Sequence, residues 1–155
     1  MSEESLAFVI IAISLTAFAG FWLLVTSAIT KMTPWGELQS LYPDNPSANA
    51  QRVFRFQSAY LGRESLGASF QGCLTVTVTG RGLRIAIWKV FAPFAKPILL
   101  PWEAIETQWA KTFLFSVLRL RVGPRGSVWI TIAPRLARRI AKASDSNFNL
   151  PKRAA

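Results

Sequence analysis

The sequence predicts a membrane-anchored α+β protein. One N-terminal transmembrane helix leads into a small antiparallel β-sandwich or partly open barrel with a C-terminal helix. Three observations carry that prediction. Leu6 to Ile29 is an unbroken apolar run of 24 residues with no charge and no Pro. From Arg52 onward apolar and polar residues alternate with a period of two, in runs separated by Gly- and Pro-rich turns. Pro134 to Ala143 then switches to helical spacing.

As a helix the apolar run is about 36 Å long, more than the roughly 30 Å hydrocarbon core of a bilayer. Its only polar side chains are Ser and Thr, which can bond back to their own helix. A cleaved signal peptide is the competing reading, because Ala17-Phe18-Ala19 has the small-x-small form of a cleavage site. Against it, Ser2-Glu3-Glu4-Ser5 is acidic where a signal peptide is basic, and the apolar run continues from Phe21 through Val25. A buried core helix is disfavoured because the stretch is apolar all round. No Lys or Arg precedes the helix and all 18 follow it. The positive-inside bias therefore places residues 1–5 outside, 6–29 across the membrane, and everything beyond in the cytoplasm.

The part beyond the helix suffices for one small domain with a core. From Lys31 onward it carries 18 basic and 6 acidic residues, a net +12. Such an excess suits an anionic membrane surface or nucleic acid, and the anchor makes the lipid leaflet the simpler partner. Cys73 is the only cysteine, so no intrachain disulfide can form. With no His either, zinc sites, Cys-His nucleophiles and His acid–base chemistry are excluded.

Residues 30–50 form a juxtamembrane connector. Thr33 is a candidate N-cap with Pro34 at the first helical position, opening a short helix to about Tyr42. Trp35 on it fits either the membrane interface or a packed face of the domain. Pro43-Asp44-Asn45-Pro46 ends this helix. A first strand follows, with Val53, Arg55 and Gln57 alternating with Phe54, Phe56 and Ser58, and then a turn region from Gly62 to Gly67. Leu74, Val76 and Val78 alternate with Thr75, Thr77 and Thr79, and Gly80-Arg81-Gly82 turns the chain into Leu83, Ile85 and Ile87. This is a hairpin with apolar residues inward and Thr or Arg outward. Residues 89–102 hold Pro93, Pro97 and Pro101, which forbid a long helix. Further strands are read at Ile98–Leu100, Glu103–Lys111, Phe113–Val122 and Val128–Ile132, with a strong turn at Gly123-Pro124-Arg125-Gly126. The domain is bounded at 51–143, and 144–155 reads as a disordered basic tail.

Six or seven antiparallel strands followed by one amphipathic helix resemble the pleckstrin-homology-like (PH-like) superfold, which includes bacterial PH-like domains and the GRAM domain. The match covers residues 53 to 143 and rests on element order. More locally, three stretches are similar to small bacterial membrane proteins that pair an N-terminal helix with a PH-like domain. They are Trp35-Gly36-Glu37-Leu38 with Leu41-Tyr42-Pro43, Leu74-Thr75-Val76 with Gly82-Leu83, and Ile98-Leu99-Leu100-Pro101-Trp102-Glu103-Ala104-Ile105. The resemblance implies binding of lipid head groups or of protein, and supplies no catalytic residues.

Four surfaces are candidates for function. Trp88, Phe91 and Phe94 beside Lys89 and Lys96 suit a wedge in the lipid interface, together with Trp35, or else a loop folded back on the core. Arg135, Arg138, Arg139 and Lys142 share an arc of about 100° on the C-terminal helix. They offer a basic face for anionic lipid or an acidic partner. Arg84, Arg119 and Arg121, with Trp129, fall on the outward face of strands, where nucleic acid is a weaker alternative because no RNP-like sequence is present. Glu103 and Glu106 are three apart in a strand and so point to opposite faces, and Ser65, Ser116 and Ser127 have no base beside them except Lys111. On the apolar helix, Ala12, Ala19 and Gly20, with Ser27, form a face able to pack against another helix. The sequence thus describes a non-enzymatic protein without cofactor, metal or small-molecule substrate. Membrane lipids and other membrane subunits are its expected partners. An accessory or assembly role comes first, and a lipid-surface module is the alternative.

Overall fold

The computed structural model of the chain describes residues 2–64 and 66–152, with the side chain of Leu66 also left out. The apolar run becomes α1, Glu3–Met32, which extends three residues past Ile29, with the Thr26 and Thr30 hydroxyls donating to carbonyls four residues back. Thr33 ends α1, with its hydroxyl donating to Thr30 O, and so does not serve as the N-cap of the next helix. That helix, α2, is Trp35–Leu41.

Seven strands follow: β1 Ala50–Arg63, β2 Leu66–Thr79, β3 Gly82–Ile87, β4 Ile98–Pro101, β5 Glu106–Lys111, β6 Ser116–Val122 and β7 Val128–Ile132. They form one antiparallel sheet in the order β4-β3-β2-β1-β7-β6-β5. β1 and β2 are too long to stay flat. Their register shifts near Phe54, Gln57 and Ala59, where Phe56 and, on the partner strand, Gly72 take positive φ. Such bulges bend a sheet. The outermost strands, β4 and β5, are joined by Trp102–Ile105 alone, so their facing ends lie within about 17 Å. The sheet is therefore curled into a half-barrel, lined by Leu61, Leu74, Val76, Leu118, Leu120 and Ile130.

Each end of β1 meets a helix. Near its C-terminal end α2 buries Trp35 and Leu38, with Glu37 paired to Arg63 and the Tyr42 hydroxyl accepting from Gly123 N–H. Near its N-terminal end lies α3, Pro134–Ala143, which buries Leu136, Ala137 and Ile140.

Four expectations are corrected. Trp35 is not at the surface: it is fully buried, 6.2 Å from the Phe70 ring, because the seven-residue α2 has only the barrel to bury its apolar side against. Thr77 and Thr79 are buried instead of outward. Thr79 Oγ1 holds the hairpin turn, donating to Gly82 O and accepting from the N–H groups of Arg81 and Gly82. Phe113, Leu114 and Phe115 are not strand; they form the exposed β5–β6 turn, closed by Thr112 N–H and Oγ1 donating to Phe115 O. Residues 144–152 pack on the domain. Phe148 buries itself against Trp102, and Thr107 and Trp109 donate to Asn149 O and Pro151 O. The remaining residues of the tail, 153–155, lie outside the described residues.

If α2 is part of the core, Leu38→Ala destabilises the domain by about 2–5 kcal/mol. Urea unfolding of the full chain in mild detergent checks this; a loss under about 0.5 kcal/mol, the scale of a surface change, would place α2 outside the core.

Candidate functional site

Two tryptophans near the N-terminus hold the loop between β3 and β4. The Trp22 indole N–H, on α1, donates to Val90 O at 3.1 Å. The Trp35 indole N–H, on α2, donates to Lys96 O, also at 3.1 Å. Lys96 N–H is further held by Gln39 Oε1. Between these pins the loop turns on itself, with Phe91 and Ala92 N–H bonded to Trp88 O and Ala95 N–H to Ala92 O. Ala92 enters the core and Ala95 packs against it. Val90, Phe91 and Phe94 are left outward, 66%, 48% and 63% exposed.

The sequence reading missed a fourth member of this surface, Phe56. The β1 bulge turns its exposed ring onto Trp88, with centroids 4.8 Å apart. Trp88 itself is half-buried and donates to Thr75 Oγ1. Lys89 and Lys96 are exposed among these rings. The arrangement is an apolar patch with flanking ammonium groups, next to an apolar helix.

A crevice of about 290 Å³ separates α1 from the sheet just behind this loop. Cys73 borders it, and burial pushes its thiol above the usual range.

The basic surfaces separate. Arg135, Arg138, Arg139 and Lys142 are all exposed on α3, and Arg139 and Lys142 border a second crevice with Arg52. Arg84 does not join Arg119 and Arg121. β3 and β6 are not neighbours, and the Arg84 guanidinium is neutralised by Asp44 at 2.6 Å and donates to Asn45 O and Ala48 O. Arg119 sits 5.9 Å over the Trp129 ring, and Arg121 faces Trp129 and Glu106 across the strands. Trp129 is itself occupied in packing: its indole lies across Gly62, where any Cβ would collide with it.

Glu103 lies in the turn between β4 and β5, and Glu106 opens β5. Ser65 lies outside the described residues; Ser127 follows the Pro124–Gly126 turn. Lys111 and Ser116 are cross-strand partners at the β5–β6 turn, but Lys111 is exposed, whereas a lysine base needs a desolvated site. Among the described residues no cluster of metal-ligating side chains occurs. Ala12, Ala19 and Gly20 are exposed on α1, with open space where a Gly20 side chain would stand. Also unforeseen is the β5–β6 turn, where Phe113, Leu114 and Phe115 are 99%, 73% and 70% exposed. Three consecutive apolar residues fit a strand, and only their setting between Thr112 and Ser116 hints at a turn.

No protein-family model matches the chain, and comparison with curated proteins and with solved structures finds no match.

Burial sets the reactivity of Cys73. The thiolate is the nucleophile, so a raised pKa means that alkylation of the native chain is slow at neutral pH and keeps climbing into more alkaline solution than for a free thiol. Maleimide labelling followed by mass spectrometry checks this, with a urea-unfolded sample as reference. Equal native and unfolded rates at pH 7 would contradict the burial.

Proposed function

We propose that this is a non-catalytic, single-pass membrane protein whose basic PH-like domain is clamped to its own anchor and binds the anionic lipid surface through the aromatic loop. The supporting observation is the pair of indole pins on residues 88–97. Trp22 lies seven residues before Ile29, about 10 Å back along the helix. When α1 spans a bilayer, the loop bonded to Trp22 is carried to the interface with it. Phe56, Val90, Phe91 and Phe94 then enter the acyl boundary while Lys89 and Lys96 meet phosphates. Each such lysine adds about 1 kcal/mol at an anionic leaflet. The charge asymmetry about α1 supports a cytoplasmic domain at a bacterial inner membrane. The curled sheet with its C-terminal helix supports the PH-like assignment.

A depth probe tests this. The Cys73→Ser, Phe94→Cys chain is labelled with the environment-sensitive dye NBD and reconstituted into vesicles containing anionic lipid. Blue-shifted emission quenched by doxyl groups near the head of the acyl chain is expected. Water-like emission without quenching would overturn the reading.

A second role, as accessory subunit of a membrane complex, is favoured by the exposure of α1. Its most apolar 18 residues bury nothing within the chain, and Ala12, Ala19 and Gly20 leave room for another helix. Native mass measurement after gentle detergent extraction from cells should show an assembly heavier than the 17.2 kDa chain. A lone monomer at every concentration would remove this role.

A further inference from the structure

The crevice between α1 and the sheet has a chemistry of its own. Its walls are Trp22, Val25 and Ile29 on the helix and Phe70, Ile87 and Phe91 on the domain. The polar side chains that border it are already engaged. Thr26 and Thr30 donate to Trp22 O and Thr26 O, and Gln71 donates to Ser69 Oγ. Hydrocarbon therefore makes up most of the surface facing the space, with the Cys73 thiol on the wall and Ser69 and Gln71 on the domain side, and offers water few partners. The helix stands off the sheet along this stretch: from Trp22 to Thr30, about 12 Å of axis, only Thr26 is fully buried. At about 290 Å³ the space is near the roughly 300 Å³ lower bound of ligand pockets.

We infer that this crevice is a binding site for one acyl chain of an anionic phospholipid from the surrounding bilayer. The inference rests on the proposal that α1 spans a membrane. Three features select this occupant. The walls come from the last third of the apolar run, so the crevice is continuous with the acyl region of the leaflet. Its lining is apolar where a soluble metabolite would need unpaired polar groups. Exposed Lys31 follows the lining residue Thr30, and exposed Lys89 stands two residues from each of the lining residues Ile87 and Phe91; both supply charge for a phosphate at the head of the chain. The lipid so held would fill the gap between anchor and domain and make the joint rigid.

Native mass spectrometry of the full chain, extracted from cells and taken through successive detergent washes, tests the site. The wild-type chain should keep one phospholipid per monomer, with anionic species enriched. Ile29→Trp fills the crevice from a residue 47% exposed on the helix surface, so the domain core is untouched. It should lower the retained fraction at least fivefold. Leu15→Trp, on the exposed helix away from the crevice, should retain lipid as the wild type does. Equal retention in all variants, no adduct on the wild type, or a second copy of the chain in place of lipid would each overturn the inference. The Phe94 depth probe in the Ile29→Trp chain separates the two proposals. Unchanged quenching with unchanged lipid retention removes the acyl site and leaves the membrane reading standing. Water-like emission from the Phe94 probe in the chain that keeps Ile29, with lipid retained there and lost from Ile29→Trp, removes the interfacial loop and leaves the acyl site, which needs only that α1 spans the bilayer.

Discussion

The joint between the two N-terminal helices and the sheet turns on two indole N–H groups and the carbonyls they meet. Trp22 holds Val90 and Trp35 holds Lys96, so an irregular loop of about eight residues is fixed at both ends by the segment that precedes the sheet. Such a loop would otherwise carry a large conformational entropy, on the order of 1–2 kcal/mol per residue in backbone freedom. Pro93 and Pro97 lower that cost in advance by removing freedom from the unfolded chain as well. One pin lies on the membrane-length helix and the other on the helix plugged into the barrel. The loop is thus the place where α1, α2 and the sheet share hydrogen bonds, and its exposed rings form a patch rather than scattered surface apolars.

Charge is arranged to respect this joint. Arg84, drawn onto the connector, is neutralised by Asp44 and donates to two carbonyls, and so contributes to folding rather than to binding. The remaining arginines that the sequence singled out stay on the outside of β6 and α3. A domain with net +12 repels itself, and that cost is tolerable when the excess sits where counter-ions or an anionic leaflet can meet it. Arg119 over Trp129 and Arg121 opposite Glu106 show the same economy on the outer face, where a nucleic-acid platform would need its aromatic free. Trp129 instead lies on Gly62.

The strands were legible because each one buries a single face, and a period of two survives in sequence wherever that holds. Leu118, Leu120, Val128 and Ile130 needed nothing more. What was not legible has physical causes that single residues reveal. Phe56 continues the alternation in sequence, yet a bulge at positive φ re-aims it; nothing in residue type announces that, since bulky residues seldom adopt such φ. Trp35 suits an interface and a core equally well, and only the tertiary position of α2 decides between them. Phe113 to Phe115 are apolar enough to be strand, but the hairpin has to turn somewhere, and Thr112 closes it there. Phe148 is a lone ring in a polar tail, too sparse a signal to reveal that Trp102 was waiting for it. Of the aromatic surface, sequence reasoning supplied Trp88, Phe91 and Phe94, and structure supplied the pins that make them a surface.

Those pins also constrain how the protein can move. If α1 were joined to the domain only through Thr33 and Pro34, tilting of the helix would leave the barrel free to swivel. Trp22 engages the domain about 18 Å along the helix from Pro34, so a tilt about the connector must either carry the domain with it or break the Val90 bond. A single hydrogen bond of this kind is worth only about 0.5–1.5 kcal/mol, too little to hold the joint unaided. The apolar contact of Val25 and Ile29 across the crevice must supply the rest, and that contact is incomplete while the crevice is open. An acyl chain in the gap would complete it. The rigidity of the joint, and with it the depth of the aromatic loop, would then depend on the lipid around the anchor.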